Sequence, residues 1–190
     1  MTYIHETAII HPNVTIQDGA VIGPYAVIGG MPQVRTNRDA GHGVIIGEGA
    51  YIGPHCQIDS GLNERTKIGE YAYLMGNVHV GHDCIVEPYV TLSQGVILAG
   101  HVRICEGATL GIGAMVHQHQ IIGHYAMIGM GAVIPRRTFK ALILPGQIWA
   151  GNPAEEKGQN RIGMERHGVD DNGINRLTQL YLDKYPMKHE

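Results

Sequence analysis

The 190 residues carry 14 Lys and Arg against 17 Asp and Glu, a net charge of −3 with the 12 histidines neutral, and so present no basic face of the kind nucleic acid demands. No segment reaches the roughly 18 apolar residues of a membrane span, and the opening M-T-Y-I-H-E-T lacks a basic stretch followed by an apolar run, so a soluble, cytoplasmic protein without a membrane span is expected. The 27 glycines beside one Phe and one Trp leave too few large side chains for an ordinary core, unless stacked aliphatics supply it.

They do so in a period of six. Aliphatics recur at Ile4, Ile10, Ile16, Ile22 and Ile28, resume in phase at Ile46, Ile52 and Ile58, slip once, and then run unbroken from Ile68 through Leu74, Val80, Val86, Leu92, Leu98, Ile104, Leu110, Val116, Ile122 and Ile128 to Ile134. Glycine often follows directly, as at Gly23, Gly47, Gly69 and Gly81, where a turning backbone gains from having no Cβ. Neither a helix of 3.6 residues per turn nor a two-residue strand alternation has this period; a solenoid of short strands does. Three hexads close one triangular turn, so about seven coils stacked about 4.8 Å apart are expected over residues 1–151, forming a parallel β-helix about 35 Å long whose ends need caps.

Pro12 and Pro24 suit corners between strands. Residues 30–45 lose the glycine rhythm and carry Arg35, Arg38 and His42 beside Asp39, which predicts a projecting loop of the kind that often holds binding residues. Residues 60–66, S-G-L-N-E-R-T, cause the phase slip and form a second, shorter excursion. Cys56, Cys84 and Cys105 are an odd number with no C-x-x-C pair and are read as buried, reduced thiols rather than a disulfide framework. After Ile134 the repeat ends, and P-G-Q-I-W-A-G-N-P-A reads as a loop closing the last coil. Over 152–190 two helical caps are expected. The first would start at Asn152 with Pro153, Glu155 and Glu156 in its opening turn and stop at Gly168; the second would start at Asp170 or Asp171, face inward through Ile174, Leu177 and Tyr181, and stop at Pro186.

Four histidines fall in one stretch of the repeat: His79 and His82 in V-H-V-G-H-D-C, His101 in L-A-G-H-V, and His117 in M-V-H-Q. Coil spacing lets them line one vertical groove. Such a groove suits either a metal with an open position or general base catalysis of attack on an acyl group, with Gly100 offering a bare N–H to the oxyanion.

L-M-G-N-V-H-V-G-H-D-C, L-A-G-H-V and V-H-Q, with the spacings between them, make the chain resemble the left-handed parallel β-helix acyltransferases of the hexapeptide-repeat type. Among these it is most similar to the UDP-N-acetylglucosamine O-acyltransferases that open lipid A synthesis. The resemblance implies a homotrimer moving an acyl group from acyl carrier protein or coenzyme A to a hydroxyl or amine of a UDP-amino sugar, with no metal and no cofactor beyond that thioester co-substrate. By position, His82 matches the family's general base and Gly100 its oxyanion donor. Gln33, His79, His101, His117 and Gln118 match the sugar-nucleotide cleft, and Asn160 and Arg166 match helix positions that contact the nucleotide sugar. Met127 and Met130 match the acyl-chain ruler. Position 130 is glycine in long-chain members and bulkier in short-chain ones, so a short or medium acyl donor is expected.

The departures set further expectations. Where that family reads N-Q-D, with the aspartate orienting the catalytic histidine, this chain has Pro32-Gln33-Val34; either Asp39 substitutes or the acceptor needs less deprotonation. Position 162 is Ile where the family is acidic, and the helical region is shorter. Trp149-Ala150-Gly151-Asn152-Pro153-Ala154 looks like the closing loop of acetyl-CoA-dependent sugar acetyltransferases, the first alternative. A zinc hydratase resembling γ-type carbonic anhydrase is the second: His119 and His124 have its ligand spacing, but Asp83 stands where its first histidine belongs.

Overall fold

A computed structural model describes residues 1–35, 41–136 and 142–186. The chain winds as a left-handed parallel β-helix of short strands, two to four residues each through Ile134. Three sheets of nine, seven and six strands form the faces of the prism. Eight of the nine strands on the first face run parallel, one per coil, because the ninth (Ala154–Gln159) pairs antiparallel to its neighbour (Gln147–Gly151). The solenoid therefore rises through eight levels, one more than the hexad count predicts: Ile148 and Trp149 continue the first face in register with Met127 and Ile128, without the aliphatic-glycine signature.

The hexad aliphatics fill the core as expected. Ile22, Ile28, Ile46, Ile52, Ile58, Leu74, Val80, Leu92, Leu98, Ile104, Leu110, Ile122 and Ile128 are completely buried, whereas Ile4, on the end coil, stays 45% exposed. Each buried Leu or Ile contributes about 1.5–3 kcal/mol of transfer free energy, and the ladder repeats it coil after coil. The three cysteines are free and buried, as expected.

Gly29 is left-handed at φ 82°, as a turning backbone requires, but other glycines after the aliphatics serve a different purpose. Gly47 and Gly69 are not left-handed; a Cβ on either would lie 2.6 Å from the backbone of the next coil. Close stacking, not turning, excludes a side chain there. The left-handed residue of the corner comes two positions later and is often not glycine: Asp83 has φ 58°, His101 61° and His119 61°.

Both excursions leave the same edge of the prism, between the second and third faces. Residues 30–43 connect the second-face strand Val27–Gly30 to the third-face strand Val44–Ile46 within one coil, and 60–66 lies at the same corner one coil on. They brace each other: His42 N donates to Gly61 O (2.7 Å), Gly61 N to Gly43 O (3.1 Å) and Gly43 N to Ser60 Oγ (2.8 Å).

The C-terminal region departs from the expected pair of helices. Residues 147–151, read as a loop, form a strand, and Ala154–Gln159, read as the first helix, is its antiparallel partner. The open edge of the last coil exposes unpaired backbone groups, and pairing it with the following segment outweighs the capping signal at Asn152. Helix α1 spans only Arg161–Arg166 and is capped by Asn160. Helix α2, Asp171–Lys184, starts as expected: Asp170 Oδ1 accepts from Gly173 N at 2.7 Å, and Ile174 and Tyr181 are buried. The helices lean on the edge between the third and first faces, where Met164 and Ile174 cluster with Tyr125 and Tyr181 Oη donates to Ile121 O (3.3 Å).

Candidate active site

The second–third edge carries the histidines in a column. His82, His101 and His119 occupy it on successive coils. The His82 and His101 rings meet edge-on with centroids 5.0 Å apart, and His101 and His119 stack at 4.5 Å. The column holds two of the four histidines expected to share a groove, His82 and His101, and adds His119, which sequence reasoning considered only as a hydratase ligand. His124 stands at the third–first edge against Glu87, so the structure does not bring the proposed hydratase pair to one corner.

His82 has a carboxylate partner after all. Its Nδ1 lies 2.7 Å from Asp83 Oδ2, and the adjacent residue thereby supplies what Val34 lacks. Asp39 falls outside the described residues. Asp83 is itself clamped: Oδ1 accepts the backbone N–H groups of Leu62, Asn63 and Glu64 at 3.0, 2.8 and 2.8 Å, and its own N–H donates to Thr66 Oγ1. The short excursion at 60–66 therefore acts as a clasp that holds one oxygen and leaves the other to the imidazole. Burial pushes the Asp83 carboxyl up, but the bonds from Glu64 N–H, His82 and Asn63 N–H, with the nearby His101, outweigh it and hold the group below its ordinary value. The side chain is 4% exposed, so its negative charge is fixed in place. His101 Nε2 stands 3.7 Å from the same Oδ2; burial depresses the His101 pKa against the pull of Asp83, and His119 and His82 depress it further.

Gly100 lies directly against the catalytic candidate. A Cβ there would sit 2.6 Å from His82 Nε2 and 2.7 Å from Cε1. Only glycine lets the ring occupy its place. Among the described residues nothing accepts from the Gly100 N–H.

A second carboxylate was missed. Asp59 is 2% exposed at the base of the projecting loop, with Gln57 Nε2 donating to Oδ1 (3.0 Å) and His79 Nε2 3.8 Å from Oδ2. Burial raises its pKa, against the Gln57 bond, the fields of His79 and His82, and a bond from the Gln33 backbone. Gln33 thus reaches the site through its main chain as well as lining a cavity of about 400 Å³ with Met31 and Arg35. The signal was an acid directly after an inward aliphatic, Ile58, where the repeat often has glycine.

His117 and Gln118 lie higher on the same edge. With His119 and Arg136 they line a cavity of about 610 Å³, and Arg136 is a cation that sequence reasoning did not select. The other predicted residues are elsewhere in the chain. Asn160 Oδ1 accepts from Gly163 N and caps α1, while Nδ2 donates to Tyr125 O and ties the cap to the solenoid, so both ends of its amide are engaged within the chain. Arg166, at the end of α1, is exposed. Met127 is half-buried on the first face, and Met130 is 74% exposed at the corner between first and second faces.

Comparison with known proteins points to one family of transferases. Residues 1–31 and 63–100 match the bacterial transferase hexapeptide model (six repeats). An acyl-[acyl-carrier-protein]–UDP-N-acetylglucosamine O-acyltransferase of Agrobacterium fabrum is 32% identical over 92% of this chain and 64% of its own length. One from Campylobacter concisus is 31% identical over 94% of this chain and 72% of its own. This chain thus spans a little under two thirds of the first relative and somewhat more of the second. The crystal structure of a UDP-N-acetylglucosamine acyltransferase from Bacteroides fragilis superposes with a TM-score of 0.76 at 25% identity, covering all of this chain and 85% of that one.

Proposed function

Because the chain belongs to the acyl-[acyl-carrier-protein]–UDP-N-acetylglucosamine O-acyltransferase family, we propose that it transfers an acyl group from a thioester to a hydroxyl or amine of a UDP-amino sugar, with His82 as general base. The observation that carries this reading is the His82–Asp83 pair with Nε2 against Gly100. When Nδ1–H donates to Asp83, the lone pair sits on Nε2, the nitrogen that faces the reacting atoms. Nε2 removes the proton from the acceptor as its oxygen or nitrogen bonds to the thioester carbonyl carbon. The carbonyl oxygen takes up negative charge and is met by the Gly100 N–H. The intermediate collapses with cleavage of the C–S bond, and the thiolate takes the proton back from Nε2. Asp83 stays ionised throughout and stabilises the imidazolium.

The donor in this reading is acyl carrier protein or coenzyme A, and no other cofactor takes part. Gln33, His79, His101, His117 and Gln118 line the sugar-nucleotide cleft, and Met127 and Met130 limit the acyl chain. A cytoplasmic homotrimer accords with two features. Among the described residues no helix is long and apolar enough to cross a membrane, and the second face leaves Ile97 and Met115 exposed on successive coils, an apolar strip that a neighbouring prism would cover. Assembly would also bring one protomer's Arg166 and Met130 to a cleft that a single chain leaves incomplete. A screen of acyl-carrier-protein and coenzyme A thioesters against UDP-amino sugars, read by mass spectrometry of the nucleotide sugar, tests the proposal. An acylated UDP-sugar is expected; thioester hydrolysis alone, or no reaction with any pair, would refute it.

A further inference from the structure

A second cluster of chemically competent side chains occupies the opposite edge of the prism, away from His82. Glu87, Cys105 and His124 come from three successive coils at the third–first corner, and each offers a ligand atom within 4.8 Å of the others. From this we propose a zinc-class metal site formed by Glu87, Cys105 and His124 beneath helix α2, independent of the acyl-transfer reading.

Three observations support the assignment. First, among the described residues His124 Nδ1 is buried without a hydrogen-bond partner, a costly state for a polar atom, while Nε2 stands 3.8 Å from Glu87 Oε2. Ligands held about 2.0–2.3 Å from a tetrahedral zinc stand about 3.3–3.8 Å apart, so small side-chain adjustments close the set. Second, Cys105 differs from the other two cysteines. Cys56 Sγ donates to Met75 O and Cys84 Sγ to Ala99 O, both at 3.0 Å, whereas among the described residues Cys105 Sγ has no acceptor. Third, Glu87 is already aimed: Arg103 Nη1 holds Oε1 at 2.6 Å and Glu106 N–H holds Oε2 at 3.1 Å, the outer hydrogen bonds that typically orient a ligating carboxylate.

The donor set of one thiolate, one imidazole and one carboxylate selects a borderline-soft ion of the zinc class over magnesium or calcium, which take oxygen. Burial, with the field of Glu87, pushes the Cys105 thiol up to about 12, so it is protonated at neutral pH. Binding forms the metal–sulfur bond, breaks S–H and releases that proton to solvent. Arg103 and Lys184 both favour the thiolate. A cavity of about 500 Å³ lined by His124, Tyr181, Asp183 and Lys184 opens beside the cluster; it gives an ion a route in and room for a fourth ligand from solvent. The ion would tie three coils together at the place where α2 rests.

The test is metal titration of the full chain after chelator treatment. Zinc is measured by competition with a chromophoric chelator, and cobalt by its thiolate charge-transfer band. One ion per chain and a cobalt–thiolate band are expected, the band vanishing in Cys105→Ser and in Cys105→Ala. Zinc affinity should fall in His124→Ala and Glu87→Gln by more than the roughly 10–100-fold that loss of an outer partner costs. Circular dichroism of each variant establishes that it is folded. Absence of the band in the wild-type protein would overturn the site. So would binding that survives both Cys105 variants and disappears in His101→Ala, because the ion would then belong to the His82–Asp83–His101 cluster.

Discussion

Gly100→Ala isolates the geometry on which the proposed chemistry depends. The glycine is not in a left-handed conformation, so alanine adds no backbone strain; the only new element is a methyl group placed 2.6 Å from His82 Nε2 and 2.7 Å from Cε1. Ordinary contact needs about 3.5 Å, so one partner must yield by about 0.9 Å. The coil backbone is locked on both sides by ladder bonds, His101 N to His82 O (2.9 Å) and His119 N to Gly100 O (3.1 Å). The imidazole ring is therefore the partner that moves, against its bond to Asp83. A displacement of about 1 Å costs on the order of 10²-fold in rate, and the methyl also intrudes where the thioester carbonyl must sit. With a steady-state assay of thiol release, kcat is expected to fall about a hundredfold while the melting temperature stays within about 2–4 °C, the shift that about 1 kcal/mol makes in a domain of this size. Wild-type kcat in a folded Gly100→Ala protein would show that His82 and Gly100 do not share the reacting space.

Asp83→Asn should lower kcat by up to about 10⁴ with little loss of stability. The amide oxygen can keep the three N–H groups of the 62–64 clasp, but its NH₂ then faces His82 Nδ1 and enforces the tautomer with Nε2 protonated; an unchanged kcat would refute the pairing. Asp59→Asn is expected to stabilise the protein at neutral pH. Burial raises the folded pKa of this carboxyl, so its favourable contribution is complete below the ordinary carboxyl range and is lost as pH rises through the raised value. Urea unfolding should show the gain at pH 7 and none in strong acid, and a loss of stability at pH 7 would count against that reading of Asp59. Met130→Gly is expected to shift preference towards longer donors, because each methylene admitted to an apolar groove is worth about 0.8 kcal/mol, about fourfold in kcat/KM; an unmoved chain-length profile in a mixed-donor competition would remove Met130 from the channel.

The solenoid was legible because one residue in six must fill a narrow core, and that constraint repeats along the chain from Ile4 to Ile134. The site was partly legible for the same reason: a fixed coil fixes the directions of His82 and His101, and hence their groove. What escaped depended on contacts between coils. Nothing local to Asp83 announces that residues 62–64, about twenty positions earlier, will hold one of its oxygens, so Asp83 was not read as a partner of His82. Asp59 was obscured in the same way, since the Gln33 backbone that bonds to it comes from the coil before. At the C-terminus, Asn152-Pro153 with Glu155 and Glu156 is a sound helix start by local rules. The unpaired edge of the last coil, a feature of the assembled prism, recruited the segment as a strand.

The central claim is that His82 moves the proton of the attacking group. Single-turnover transfer from a preformed acyl thioester to UDP-N-acetylglucosamine, compared between wild-type protein and His82→Ala across pH, tests this most directly. A folded variant is expected whose chemical step is slower by about 10²–10⁴ and whose pH profile differs from that of the wild-type protein. A His82→Ala protein that transfers at the wild-type rate, with the wild-type pH profile, would contradict it.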